Sequence, residues 1–114
     1  MNGMTGVKIV ALMARKPELT HDEFVDRYES GHVPLILRLL PPFGSYRRNY
    51  ISDPAVRDAL GFDVMTEAWF PDAEAHRAVI EAMADPETGD AIARDEEIFM
   101  DRSRTVVFAA NERS

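Results

Sequence analysis

Hydrophobic and polar residues alternate along the chain with two periods, and together they predict four strands and two helical regions. Residues 7–15 (VKIVALMAR) form an apolar run that is typical of a buried strand. Residues 43–51 (FGSYRRNYI) and 62–70 (FDVMTEAWF) alternate with a period of two, which predicts two further strands. The β-branched and aromatic segment 104–110 (RTVVFAA) predicts a closing strand.

Helix signals fill the two gaps between these strands. Thr20 with Glu23 forms a capping box, so the first helix begins there and ends before the prolines at 41 and 42. Asp72 is the predicted N-cap of residues 73–84, and Asp85 with Pro86 starts a further helical stretch through residues 91–100. The apolar positions of the first helix recur every three or four residues, at Phe24, Tyr28, Leu35 and Leu39.

This order of elements predicts an α+β fold, the ferredoxin-like βαββαβ arrangement, as one domain over residues 1–114. Such a fold places a four-stranded antiparallel sheet under helices that cover one face. The first and third strands carry bulky apolar residues on both faces, so the second face of the sheet needs a cover. We therefore expect a homodimer that forms through the sheet faces.

Composition narrows the function classes. The 114 residues include 20 acidic and 13 basic side chains, and this net charge of −7 argues against a nucleic-acid partner. There is no cysteine, no His-x-His or HExxH spacing, no phosphate loop and no GxSxG, so we expect no metal site. The segment MNGMTGVK lacks a targeting pattern and no apolar run reaches about 18 residues, which predicts a soluble, cytoplasmic protein without a membrane partner.

Two helix breakers flank a histidine inside the first helix. Gly31 costs about 1 kcal/mol relative to alanine and Pro34 about 3 kcal/mol, so we expect a kink or interruption there. His32 shares the stripe of Phe24 and Tyr28 and points toward the sheet, beside a pocket mouth, where an imidazole can act as a base near neutral pH. Alternatively, the ring bonds a backbone carbonyl that Pro34 leaves free.

The second strand carries polar side chains on both rows. Tyr46, Arg48 and Tyr50 share one face, where two tyrosines beside an arginine can hold an aromatic or enolic ligand. Alternatively, the arginines pair with acidic residues such as Glu67, and the tyrosines pack. A shift of one residue in register exchanges this row with that of Asn49, so the sequence leaves open which row lines a cavity.

Two carboxylates stand out in the later part of the chain. Glu67 lies mid-strand and faces either a cavity or a partner subunit; we favour an interface or salt-bridge role. Asp95 belongs to a helix whose acidic face is solvated and whose buried side we assign to Ala91, Ile98 and Phe99. Because Asp95 is four residues before Phe99, it can turn toward the same side.

Five blocks in order resemble the EthD domain family across almost the whole chain: THDEFVDRYESGHVPLILRL with the proline-glycine turn after it, SYRRNYI, TEAWF, ARDEEIFMD and the terminal valine-phenylalanine strand. The most recognisable motif is His-x-Pro-Leu, here at residues 32–35. The resemblance implies a dimeric α/β barrel, in which two ferredoxin-like protomers pack their sheets together and each holds a ligand cavity.

The resemblance implies cofactor-free acid/base chemistry, as in a lyase or isomerase that dehydrates, isomerises or cyclises an aromatic, polyketide-like or ring-cleavage metabolite. His32 is then the acid or base, and Tyr46, Tyr50 or Arg48 steadies an enolate oxygen. Alternatives are a non-catalytic protein that binds a hydrophobic metabolite, a cofactor-free monooxygenase-like barrel, and a haem-binding barrel with His32 as axial ligand. The predicted substrate contacts are Tyr28, Arg48, Asn49, Glu67, Trp69, Asp95 and Phe99.

Overall fold

Four antiparallel strands form one sheet in the order β2-β3-β1-β4 in the computed structural model, which describes residues 6–113. This order is that of the ferredoxin-like fold, so the predicted α+β class is confirmed. Most of the segment MNGMTGVK, on which the prediction about targeting was based, lies outside the described residues. The strands are β1 (Val7–Met13), β2 (Ser45–Tyr50), β3 (Val64–Phe70) and β4 (Val106–Ala110).

Three of the helices begin at the predicted caps. Thr20 and Glu23 form the capping box, and the side chains of Asp72 and Asp85 accept bonds from the first turns that follow them. No helix within residues 6–113 combines the length and apolar character that a membrane crossing requires. The helices are α1 (His21–Arg27), a π-helical turn (Tyr28–His32), α2 (Val33–Leu39), α3 (Pro54–Leu60), α4 (Ala73–Ala84), α5 (Pro86–Phe99) and a 3₁₀ turn (Arg102–Arg104).

The π-helical turn is the interruption that the sequence predicts around Gly31. Within it the Val33 N–H donates to the carbonyl of Tyr28, five residues earlier, so the turn holds one more residue than an α-helical turn. The extra residue advances the buried stripe by one position. Beyond the turn, Ile36 and Leu40 are buried, while Leu35 and Leu39, which we expected inside, are only half-buried.

The sheet has one face covered by helices and one open face. Thr66 of β3 lies opposite Ala11 of β1 and Arg48 of β2, which fixes the register of the three strands. Because side chains alternate between faces, the row of Tyr46, Arg48 and Tyr50 lies on the helix face. The open face carries Lys8, Val10, Leu12, Ser45, Arg47, Asn49, Met65, Glu67, Trp69, Val106 and Phe108.

Two hydrophobic clusters fill the space between helices and sheet. The first centres on Phe24, Tyr28 and Phe99, whose side chains are completely buried. Full burial of a large apolar side chain stabilises the fold by about 1.5–3 kcal/mol, so these rings are a major part of the core. The second cluster contains Ile36, Leu40, Phe70, Val79 and Ile92.

Candidate functional site

His32 ends the π-helical turn with its ring inside the protein. The residue is 2 % exposed, and its Nδ1 lies 2.8 Å from Oδ2 of Asp95. The rings of Tyr28 and Phe99 pack against the imidazole, with ring centroids 5.4 and 5.3 Å away. These two aromatic rings therefore occupy space beside His32, where the sequence predicted a pocket mouth. The alternative prediction, that the ring bonds a backbone carbonyl, is wrong because a buried carboxylate takes that place.

Asp95 reaches His32 from α5 and is only 8 % exposed. One carboxylate oxygen accepts from His32, and the guanidinium of Arg27 donates to the other. The inward turn of Asp95 follows the spacing to Phe99, as the sequence suggested. The prediction that Ile98 is buried is wrong: the inward residue of this helix is Ile92, and Ile98 is exposed.

Gly31 makes the link between Arg27 and Asp95 sterically feasible. A Cβ atom at position 31 would lie 2.7 Å from Cζ of Arg27, so the guanidinium crosses the helix over the space that the glycine leaves free. Within the described part of the chain, Nε of Arg27 is buried without a hydrogen-bond partner. Sequence reasoning missed Arg27, although an arginine four residues before a mid-helix glycine is a usable signal.

The carboxylate determines which ring nitrogen of His32 can act as a base. A carboxylate only accepts hydrogen bonds, so Nδ1 carries the proton and Nε2 keeps its lone pair in the neutral ring. Nε2 faces Oε2 of Glu96 at 3.9 Å. Burial raises the pKa of the Glu96 carboxyl, although His32 and Arg102 act in the opposite direction. Because the sequence predicts a solvated acidic face for this helix, Glu96 is not among the predicted site residues.

Tyr28 connects His32 to the middle of the sheet. Its hydroxyl lies 2.7 Å from Oγ1 of Thr66 and accepts from the hydroxyl of Tyr46 at 3.4 Å. Burial raises the pKa of both tyrosines, so both phenols keep their protons and can donate. Thr66 was missed because a threonine within a strand pattern carries no chemical signal.

Arg48 and Tyr50 both bind Glu29 in the π-helical turn. Nε and Nη2 of Arg48 donate to the two Glu29 oxygens at 2.9 and 2.8 Å, and the Tyr50 hydroxyl donates to Oε2 at 2.5 Å. The bond from Arg48 lowers the pKa of Glu29, against the effect of burial. Arg48 therefore pairs with an acidic residue, as one alternative expected, but that residue is Glu29 and not Glu67.

Asn49, Glu67 and Trp69 lie on the open face, on the far side of the sheet from His32. Their predicted grouping with His32 around one ligand is therefore wrong within a single chain. Glu67 forms a salt bridge with Lys8 at 2.7 Å and accepts from Nδ2 of Asn49 at 3.0 Å. The remaining predicted site residues, Tyr28, His32, Tyr46, Arg48, Tyr50, Asp95 and Phe99, all lie on the helix side.

A surface pocket of about 490 Å³ lies near the C-terminal end of α5, next to the candidate site. Arg102 lines it, and Nε of Arg102 lies 3.3 Å from Oε1 of Glu96. Within residues 6–113, no group of three or more histidine, aspartate or glutamate side chains is placed to hold a metal ion. The pocket is lined by Lys16, Pro17, Glu97, Met100, Asp101 and Arg102.

The chain was compared with protein families, curated proteins and solved structures. The sequence profile of the EthD domain matches residues 16–103, whereas a search of curated proteins found no match. An EthD family protein from Bacillus halodurans is 24 % identical, with a TM-score of 0.63 over 95 % of this chain and 99 % of its own.

Two more distant structures share the fold. A dimeric protein of unknown function with a ferredoxin-like fold, from Bacteroides fragilis, is 10 % identical, with a TM-score of 0.60 over 97 % of this chain and 98 % of its own. SnoaB, a cofactor-independent oxygenase from Streptomyces nogalater, is 15 % identical, with a TM-score of 0.61 over 96 % of this chain and 95 % of its own. At these identities the likeness shows the fold alone.

Proposed function

This chain belongs to the EthD domain family, and we propose that it is an enzyme that uses His32 as acid and base on a small keto or enol compound. The proposed reactions are dehydration, isomerisation or cyclisation of an aromatic, polyketide-like or ring-cleavage metabolite, without a cofactor. One observation carries the proposal: the buried His32 ring is held through Nδ1 by Asp95, at 2.8 Å, which leaves Nε2 as the base.

In the proposed mechanism, Nε2 of His32 removes a proton from the carbon next to a carbonyl group. A positioned base of this kind contributes about 100- to 10,000-fold to the rate. The imidazolium that forms is stabilised by Asp95, whose charge lies in a water-poor interior where electrostatic interactions are stronger. Returning the proton to another atom of the same compound completes an isomerisation, and returning it to a leaving hydroxyl completes a dehydration.

Tyr46 is the better of the two tyrosines proposed as donors to the enolate oxygen. Its bond to Tyr28 is long, at 3.4 Å, so the hydroxyl gives up little when it turns to a ligand. Tyr50, by contrast, donates to Glu29 at 2.5 Å. The Arg48 guanidinium lies 4.9 Å from the ring centroid of Tyr46 and fixes its orientation. In this proposal Tyr50 holds Glu29 and Arg48 in place.

We also propose that a second copy of the chain covers the open face and completes the barrel. Met65, Val106 and Phe108 are large apolar residues on this face and are about 40 % exposed. A contiguous apolar patch on a sheet favours a protein partner. Trp69 and Glu67 then lie at the interface, which agrees with the role we favoured for Glu67. The Bacteroides fragilis protein with this fold is described as dimeric.

Hydrogen–deuterium exchange into candidate substrates tests the proposed chemistry without knowledge of the complete reaction. The protein is incubated in D₂O with a panel of aromatic and polyketide-like ketones, and deuterium at the carbon next to the carbonyl is measured by mass spectrometry. We expect incorporation that His32→Gln slows by about 100-fold or more and that His76→Gln leaves intact, since His76 packs on Phe70 away from the site. Binding of a ketone without any incorporation contradicts catalysis and supports the binding-protein alternative.

A further inference from the structure

In the proposed mechanism His32 takes a proton from the substrate and returns it, and incorporation of deuterium from D₂O requires that the ring also exchanges protons with solvent. The residue is 2 % exposed, and its Nδ1 is occupied by Asp95, so protons must pass through Nε2. Glu96 Oε2 faces this atom at 3.9 Å. The other Glu96 oxygen lies 3.3 Å from Arg102, which lines the surface pocket. Glu96 does not line the pocket itself, but its side chain is 23 % exposed and contacts Arg102, so one carboxylate touches both the buried imidazole and a residue of the pocket wall.

We propose that Glu96 relays protons between Nε2 of His32 and solvent in the surface pocket lined by Arg102. This inference deepens the proposed function and rests on it, because a relay is needed only if His32 takes up and releases protons. Glu96 acts through His32 and is a positioning residue in the proposed reaction.

The transfer is balanced as a simple exchange of one proton. The protonated His32 gives its Nε2 proton to the Glu96 carboxylate, which becomes a neutral carboxylic acid while the ring becomes neutral. The acid then rotates toward the pocket, releases the proton to water and returns as a carboxylate. The transfer requires that the contact of 3.9 Å shortens to hydrogen-bonding distance when the proton moves.

The charges around Glu96 suit this exchange. His32 on the π-helical turn and Arg102 on the 3₁₀ turn favour the carboxylate, while the neighbouring Asp95 disfavours it, and the Tyr28 phenol lies close by. Burial is the largest influence, and it raises the pKa of the Glu96 carboxyl above its ordinary value. A carboxyl whose pKa is raised by burial holds a transferred proton more readily than an exposed carboxyl does.

Glu97 provides a matched control on the same helix. It is the next residue, it also contacts Arg102, at 3.5 Å, and its substitution by glutamine removes the same charge. Its side chain, however, is 63 % exposed, whereas that of Glu96 is 23 % exposed. Both glutamine variants remove one charge beside Arg102, and Glu97 also lines the pocket, but of the two residues Glu96 is the one that contacts Nε2 of His32.

The test measures the exchange of the His32 Nε2 proton with water by NMR of the full chain labelled with ¹⁵N-histidine, at a pH low enough for the ring to carry protons on both nitrogens. We expect Glu96→Gln to slow this exchange by about tenfold or more, because glutamine does not accept the proton, while Glu97→Gln leaves the rate unchanged. Glu96→Asp keeps the charge but withdraws it by one methylene, and we expect an intermediate rate. Equal rates in wild type and Glu96→Gln, or equal slowing by both glutamine variants, would overturn the relay.

The experiment also separates the relay from the proposed function. Proton exchange is measured without a substrate, so slow exchange in Glu96→Gln supports the relay even if no ketone takes up deuterium. Should Glu96→Gln fold poorly, Glu96→Asp alone decides the question: an unchanged rate contradicts the relay, and a reduced rate supports it. Thermal unfolding of each variant, followed by circular dichroism, shows which comparison applies.

Discussion

Replacing Gly31 by alanine tests whether the glycine is present to let Arg27 reach Asp95. Helix propensity alone predicts that this change stabilises the protein by about 1 kcal/mol. The structure predicts the opposite sign, because a Cβ at position 31 would lie 2.7 Å from Cζ of Arg27 and the guanidinium must withdraw. Its bond to the buried Asp95 is then lost.

The magnitude follows from two opposing contributions. A hydrogen bond to a charged group stabilises by about 1.5–3 kcal/mol, and the lower end applies because solvent screens the Arg27 side chain, which is 37 % exposed. Subtracting the helix gain leaves Gly31→Ala less stable than wild type by about 0.5–1 kcal/mol. In an Arg27→Ala background the obstacle is absent, and the same change stabilises by about 1 kcal/mol.

Urea unfolding of four proteins measures this reversal: wild type, Gly31→Ala, Arg27→Ala and the double variant. Unfolding of each protein is followed by circular dichroism. The urea midpoints are compared with one common slope for the dependence of the unfolding free energy on urea, which limits the error of extrapolation to water. A stabilised Gly31→Ala protein, or an equal loss in both backgrounds, would refute the explanation given for this glycine. Activity is not needed for the comparison.

Two further predictions concern acid stability and assembly. Burial raises the pKa of the Asp63 carboxyl, but hydrogen bonds from Arg15 and His21 outweigh it, so the pKa lies below its ordinary value of 3.8. The ionised carboxylate therefore stabilises the fold above that pH. This stabilisation is lost as the pH falls through the folded-state pKa. Asp63→Asn should have a lower free energy of unfolding than wild type at pH 7, and this difference should shrink as the pH is lowered. Urea unfolding at several pH values measures it. A difference that does not depend on pH contradicts a stabilising role of the Asp63 carboxylate. Phe108→Glu on the open face should convert the dimer to a monomer, as measured by light scattering. Val107→Glu, on the helix side of the same strand, should leave the dimer intact. The proposed interface is contradicted if the Phe108→Glu protein is still a dimer or if the wild type is a monomer.

Much of the fold follows from local signals in the sequence. The caps at Thr20, Asp72 and Asp85 fix where three helices begin, and alternation in β2 and β3 fixes which side chains share a face. Helix α3 was missed even though Asp53 caps it, because it is short and buries no side chain. Without an apolar face it has no periodicity to detect.

The buried stripe beyond His32 was misplaced for a physical reason. A stripe counted at a constant 3.6 residues per turn assumes an unbroken α-helix, and the π-helical turn adds one residue. The breakers Gly31 and Pro34 signal an interruption but do not say whether it adds a residue. The sequence therefore predicts an inward His32 correctly and loses the register at Leu35.

The candidate site was predictable where one element determines it and unpredictable where two elements meet. His32 and Asp95 follow from their own helices, but their contact spans 63 residues of sequence, and no local pattern encodes it. Arg27 and Glu96 look like surface charges until the packing of α1 against α5 is known. The separation of Asn49 from His32 likewise depends on which face of the sheet the helices cover.

The most direct test of the account is a double-mutant cycle on deuterium incorporation into a responsive ketone. Rates are measured for wild type, His32→Gln, Asp95→Asn and the double variant. If Asp95 acts only by holding His32 as the base, the double variant is no slower than His32→Gln alone. Losses that multiply would mean that the two residues act independently, and the proposed acid/base pair would be contradicted.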